Sequence, residues 1–190
     1  MKNRHRIALA ALLVLLPSLL WAQTQPVSNV IAQVPSPLSL EVLPTFDLPV
    51  GDTAQYFTFG GAMDLGVKYR LPGSIFTLLG GLEYCYAPVQ AATSLSMVAP
   101  RVGVGVQIPL ASFISVFATA VGGYYFATYN DFTMSVTDPY LAGSLGMRFT
   151  IAPTFSLEVA GQYKYYAGLY QGASVSAGMD IALGNLGGSV

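Results

Sequence analysis

From Tyr140 to Leu183 the chain alternates with a period of two. Leu141, Gly143, Leu145, Met147, Phe149 and Ile151 interleave with Ala142, Ser144, Gly146, Arg148 and Thr150 up to a turn at Ala152-Pro153. Phe155, Leu157, Val159, Gly161, Tyr163 and Tyr165 then alternate with Ser156, Glu158, Ala160, Gln162 and Lys164. From Ala173 an apolar set ending in Ile181 and Leu183 faces Ser174, Ser176, Gly178, Asp180 and Ala182. Successive side chains of a strand point to opposite faces, so this pattern predicts three strands, each with a greasy and a polar face.

The same rule applied from the start of the pattern gives five more. In Leu38–Leu48, Leu40, Val42, Pro44, Phe46 and Leu48 alternate with Ser39, Glu41, Leu43, Thr45 and Asp47. In Phe57–Leu71, an apolar set running from Phe57 to Tyr69 alternates with one holding Asp64, Lys68 and Arg70. A Pro72-Gly73-Ser74 turn leads to Ile75–Tyr86, where Phe76, Leu78, Leu82, Tyr84 and Tyr86 stand opposite Thr77, Gly81, Glu83 and Cys85. The fourth sets Val98, Val102, Val104, Val106 and Ile108 against Arg101, Gly103, Gly105 and Gln107. The fifth, Phe113–Ala127, has only Ser115 and Thr119 as strongly polar markers, which leaves its phase open. A loop over Tyr129–Thr137 then reaches the sixth.

Eleven charged residues fall in these strands: Glu41, Asp47, Asp64, Lys68, Arg70, Glu83, Arg101, Arg148, Glu158, Lys164 and Asp180. All eleven belong to the set opposite the apolar one, and Asp52, Asp131 and Asp138 are left for loops. Six acids and five bases inside a lumen can pair, whereas a base facing lipid near the midplane costs on the order of 2–4 kcal/mol. The expected fold is therefore all-β: an eight-stranded antiparallel up-and-down transmembrane barrel, apolar outside, with a polar packed lumen and short periplasmic turns. A secreted lipocalin-like carrier needs the inverse, an apolar lumen and a charged exterior.

Composition agrees. Hydrophobic residues make up 53% of the chain and charged residues 9%, against roughly 25% charged in an average soluble domain. No apolar run long enough for a membrane-crossing helix follows the leader. That leader has Lys2, Arg4 and Arg6 before the apolar run Ile7–Leu20, then a plausible cleavage site after Ala22. Residues 1–22 thus read as a secretory signal peptide, 23–37 as a Pro-rich flexible lead-in, 38–184 as barrel and 185–190 as a tail. Without Lys2, Arg4 and Arg6, five Lys/Arg face nine Asp/Glu, a formal charge of −4, and nothing basic points to nucleic acid.

Aromatic residues mark the strand ends. Tyr56, Tyr84, Tyr86, Tyr124, Tyr125, Tyr129, Tyr140, Tyr163, Tyr165, Tyr166 and Tyr170 gather beside the longer loops; Tyr69, Phe76, Phe113, Phe149 and Phe155 lie beside the tight turns. Two interfacial girdles about 25 Å apart are expected from them, built chiefly by Tyr69, Phe76, Tyr84, Tyr86, Tyr124, Phe149, Phe155, Tyr163 and Tyr165. The tyrosine-rich rim serves either as an anchor alone or as a surface for lipids, hydrophobic solutes or host ligands. A descending strand, a Pro turn and a rising strand ending in tyrosine repeat at Gly66–Pro88, Gly103–Phe126 and Gly146–Tyr166, as an up-and-down barrel requires.

The whole stretch after the leader resembles the small eight-stranded outer-membrane barrels of the OmpA-domain, OmpX and OmpW type. Gly178 followed by Ile181 and Leu183 resembles their C-terminal assembly signal, with an aliphatic Leu183 where that family carries an aromatic residue. The resemblance implies the cell outer membrane of a Gram-negative type of bacterium, reached after signal-directed export. It implies contact with outer-membrane lipid, with periplasmic chaperones and with the barrel-assembly machinery during biogenesis, and a monomeric state. Its implied role is structural, in envelope integrity or surface contact; the alternative is a narrow, porin-like channel or hydrophobic-solute conduit of the OmpW kind.

Chemistry enters mostly as exclusion. Barrels of this size that modify lipid A resemble one another in using a His beside a Ser, and the only histidine here, His5, sits in the leader. No catalytic residue, metal site or cofactor is expected. Cys85 is alone and reads as an inert lumenal thiol. Gly103-Val104-Gly105 lies mid-strand and is no dinucleotide loop. The lumenal charges have two readings: a paired network that fills the barrel, or a gated path lined by Glu41, Lys68, Arg70, Arg101, Arg148 and Glu158.

Overall fold

The computed structural model describes residues 37–90, 93–130 and 135–183, so the leader, the lead-in up to residue 36, Asp131 and the tail from Gly184 onward lie outside the described residues. Eight strands form in sequence: β1 (Leu38–Pro49), β2 (Gly60–Arg70), β3 (Phe76–Val89), β4 (Thr93–Ala111), β5 (Ile114–Tyr129), β6 (Ser135–Ala152), β7 (Phe155–Tyr166) and β8 (Tyr170–Ala182). Each pairs antiparallel with the next, and β1 pairs with β8 to close the barrel. No described helix is long and apolar enough to cross a membrane, and none is needed, since closure gives every strand two partners.

Alternation sets the wall. Along β1 the inward residues Ser39, Glu41, Leu43, Thr45 and Asp47 are buried, while Leu40, Pro44, Phe46 and Leu48 are exposed. The phase of β5, open in the sequence, follows its two polar markers: Ser115, Phe117, Val121 and Tyr125 are buried. Register then carries one lumenal face around the barrel, with Arg148 opposite Glu158 and Asp64 opposite Glu83.

At the end where β1 begins and β8 stops, the turn end, the connections are tight: Leu71–Ile75 with Gly73 at φ 69°, Ser112-Phe113, and Pro153-Thr154. At the opposite end, the loop end, a 3-10 helix (Gly51–Gln55) follows β1. Thr53 ties it down, its hydroxyl donating to the carbonyls of Val50 (2.8 Å) and Gln171 (3.1 Å). The β7–β8 connection is shorter than the sequence predicts, three residues around Gly168 at φ 70°, because β8 begins at Tyr170.

Three strands overshoot the rest. β4, β5 and β6 have 19, 16 and 18 residues, against 11 to 14 in the others; crossing the hydrocarbon takes about 9–11. Tyr140 pairs with Tyr166, the last residue of β7, so Ser135–Pro139 of β6 continue beyond that strand alongside the ends of β4 and β5. Of the expected loop Tyr129–Thr137, Tyr129 closes β5 and Ser135–Thr137 open β6, and Asp138, expected in a loop, also lies in β6.

Lumen-facing glycines let the wall bend inward. A Cβ on Gly178 would sit 2.1 Å from the Val42 carbonyl oxygen, and one on Gly123 2.0 Å from that of Pro100. At both places the ladder skips two residues, Leu43 and Pro44 between β1 and β8, Ala99 and Pro100 between β4 and β5. Both skips fall at an interior proline, which has no N–H to give.

Candidate functional site in the barrel lumen

The eleven charges that the alternation assigns to the polar face all enter the lumen, and they divide into two linked clusters. Nearer the turn end, Lys68 Nζ contacts Glu41, lies 2.6 Å from Glu158 Oε2 and 3.8 Å from Asp180 Oδ2. Arg148 reaches Asp180 at 2.5 Å and Glu158 at 3.7 Å. Ser39 donates to Asp180 (2.9 Å), and the Phe117 ring lies 5.3 Å from the Lys68 ammonium. Arg70 has no carboxylate within ion-pair distance among the described residues; its guanidinium donates to Gln107 Oε1 at 2.5 Å.

Nearer the loop end, Lys164 is fully buried between Asp47 (3.2 Å) and Glu83 (2.8 Å). Glu83 also accepts from the Tyr140 hydroxyl at 2.5 Å and from the Tyr166 hydroxyl. The Cys85 thiol, fully buried, donates to Asp47 at 3.4 Å. Arg101 joins the two clusters, with Asp64 at 3.0 Å, Glu41 at 3.6 Å and Glu83 at 3.8 Å. The network thus runs without a break from Asp180 to Asp47. A lone buried charge would be costly, and each lysine here meets at least two carboxylates.

Above the charges sits an apolar lid. Phe57, Ala87, Leu95, Met97, Tyr125 and Tyr170 pack into one buried cluster with Tyr140 and Tyr166. Phe57 meets Tyr170 edge-on at 5.3 Å, and Tyr166 meets Tyr125 likewise at 5.4 Å. This corrects the girdle expected from sequence. Tyr125, Tyr140, Tyr166 and Tyr170 turn inward, and Phe57 lies outside β2 and closes the mouth rather than facing outward. The signal for the tyrosines was in the alternation itself: Tyr140 is in phase with Arg148, Tyr166 with Lys164, and Tyr125 with Ser115.

On the wall, Tyr69, Phe76, Tyr84, Tyr86, Tyr124, Tyr163 and Tyr165 are exposed in two bands, with Phe149 and Phe155 half-buried beside the tight turns. Between them lie Val102, Val104, Leu141, Leu145 and Val175, each more than half exposed. A continuous apolar wall around a charged interior suits a protein whose solvent is lipid. Its fold is that of small outer-membrane barrels. Neisserial surface protein A shares it with a TM-score of 0.65 at 12% identity, covering 77% of this chain and 97% of its own. The attachment invasion locus protein Ail of Yersinia pestis, in complex with the heparin analogue sucrose octasulfate, matches with a TM-score of 0.50 at 14% identity, over 76% of this chain and 95% of its own. No protein-family model matches the chain, and a comparison with curated proteins gives no match.

Two small gaps interrupt the packing of the lumen. One gap of about 30 Å³, lined by Glu41, Leu43, Arg101, Thr119, Ser144 and Gln162 among others, sits at mid-height. A second, about 20 Å³, lies by Arg70, Gln107 and Arg148 toward the turn end. Such volumes hold one or two waters each. Gln107 fills its level by donating to Ser115 (2.6 Å), and Thr119 and Ser144 share a 2.5 Å hydrogen bond. The alternation puts these four neutral side chains on the polar face, but only register shows which of them pair. Gly178, Ile181 and Leu183 stand at the closing end of β8, where Gly178 is fixed by its approach to β1.

Proposed function

We propose that the chain is an integral outer-membrane barrel that serves the envelope as a closed, self-filled wall element, with surface contacts made at its loop end. The observation that carries this reading is the lumen: eleven charges paired or hydrogen-bonded across it, an aromatic lid above them, and gaps of about 30 and 20 Å³. A hydrated ion path needs far more room than one or two waters. The outer-membrane address is supported by the apolar wall, by the leader over residues 1–22 and by the neighbours' fold. A non-enzymatic role is supported by the placement of the single histidine, His5, in that leader. The Gly178, Ile181 and Leu183 end of β8 acts in this reading as the assembly signal.

Ail is seen with a sulfated polyanion. In this barrel the five basic residues Lys68, Arg70, Arg101, Arg148 and Lys164 point into the lumen, so among the described residues the outer surface has no Lys or Arg to offer a sulfate. The surface role proposed here therefore excludes heparin-like ligands.

Single-channel conductance of the refolded chain in a planar bilayer tests the reading, with insertion confirmed by heat-dependent gel mobility. A folded, electrically silent barrel is expected. Reproducible discrete steps would overturn the closed-wall reading in favour of a conduit, and substitutions at Arg101 and Arg148 would then change their size.

A further inference from the structure

Among the described residues, the outer face of the projecting β4–β6 ends is polar without being charged. On the side shared with the lipid-facing Val98, Phe126 and Leu141 stand Ser94, Ser96, Thr128, Asn130, Ser135 and Thr137, all exposed or half-exposed. Register places Ser96 beside Thr128, Thr128 beside Ser135, and Phe126 beside Thr137, so the hydroxyls form one continuous surface. Asn130 Nδ2 donates to Ser94 Oγ at 2.6 Å, Ser96 Oγ donates to Asn130 Oδ1 at 3.3 Å, and the Tyr84 hydroxyl lies 3.5 Å from Ser96. Asp138 is on the other face of the same strand.

This patch continues directly from the lipid-facing wall, above the exposed Tyr84, Tyr86, Tyr124 and Phe126. What meets it in a membrane is the headgroup layer of the surrounding lipids. A phosphate would find no base here, because every Lys and Arg of the barrel is in the lumen. Hydroxyl and amide groups both donate and accept, as sugar hydroxyls do, and tyrosine at this level offers a flat apolar face with a polar tip. We propose that this face docks the uncharged sugar headgroups of glycolipids in the adjacent leaflet.

The inference rests on the reading of the chain as a lipid-embedded barrel, and the test keeps the two apart. The refolded full chain is checked for insertion by heat-dependent gel mobility. It is then exposed to equal amounts of digalactosyldiacylglycerol, phosphatidylglycerol and phosphatidylcholine and analysed by native mass spectrometry. Preferential retention of the digalactosyl lipid is expected. Ser96→Val, Thr128→Val and Thr137→Val suit a strand and keep it folded; each hydrogen bond lost should cut that retention about fivefold. An inserted barrel that retains all three lipids equally, prefers the anionic lipid, or pairs with a second copy through this face overturns the inference while leaving the barrel reading intact. A preference undiminished in the triple variant overturns it too.

Discussion

Lys164→Met is the perturbation that best probes how the lumen is held together. Methionine keeps the length and most of the volume of the lysine stem, so packing is nearly conserved and the charge is what leaves. Two ion pairs go with it, at 3.2 Å to Asp47 and 2.8 Å to Glu83. Glu83 retains the Tyr140 and Tyr166 hydroxyls and Arg101 at 3.8 Å. Asp47 retains the Cys85 thiol, a weak donor at 3.4 Å. Removing one partner of a buried pair costs about 3–5 kcal/mol, because the remaining charge stays buried without its counter-charge. Most of that cost should fall on Asp47, so adding Asp47→Asn to Lys164→Met should restore about 1–3 kcal/mol. The assay is urea unfolding in lipid vesicles, followed by circular dichroism and by heat-dependent gel mobility. A Lys164→Met barrel within about 0.5 kcal/mol of the parent, with no gain in the double variant, would refute the claim that pairing holds the lumen.

Other outcomes follow from the same geometry. Gly178→Ala and Gly123→Ala should each lower the yield of folded barrel sharply, since the added Cβ would sit 2.1 and 2.0 Å from a backbone oxygen; Gly80→Ala and Gly161→Ala, with nothing within 4 Å, should fold like the parent in the same gel assay. Tyr140→Phe removes a 2.5 Å hydroxyl bond to Glu83 and should cost about 1.5–3 kcal/mol in urea unfolding, a charged acceptor being left short of a donor. Cys85, fully buried, should resist maleimide in the inserted barrel and react fully in urea; labelling at equal rates in both states would contradict the lumen's packing.

Strands and their inward faces were legible in the sequence wherever a charge marked the phase, as Glu41, Glu158 and Asp180 do. Partners were less so. Arg101 could have met any of six carboxylates, and only register brings it to Asp64, Glu41 and Glu83. Tyrosine misled for a physical reason: an apolar ring with a polar tip suits a membrane interface and a hydrogen bond to a buried carboxylate equally well. Tyr163 and Tyr166 look alike in composition and differ by parity, one exposed and one hydrogen-bonded to Glu83. Phe57 keeps the outward parity of β2 in the sequence, but it precedes the strand, in a segment that turns inward over the lumen. The projecting start of β6 is hidden because Ser135 and Thr137 read as loop, whereas pairing with Thr128 and Phe126 keeps them in the sheet.

The central claim is that the apolar set faces lipid and the charged set faces the lumen. The one tryptophan, Trp21, lies in the leader, so the chain from Gln23 onward is a blank background for introduced tryptophans. Val104→Trp and Leu145→Trp on the wall, and Phe117→Trp in the lumen, would be refolded in vesicles containing brominated lipid, with insertion checked by gel mobility. Strong quenching is expected at 104 and 145 and little at 117. Quenching at 117 with none at 104 and 145 would contradict it and turn the barrel inside out.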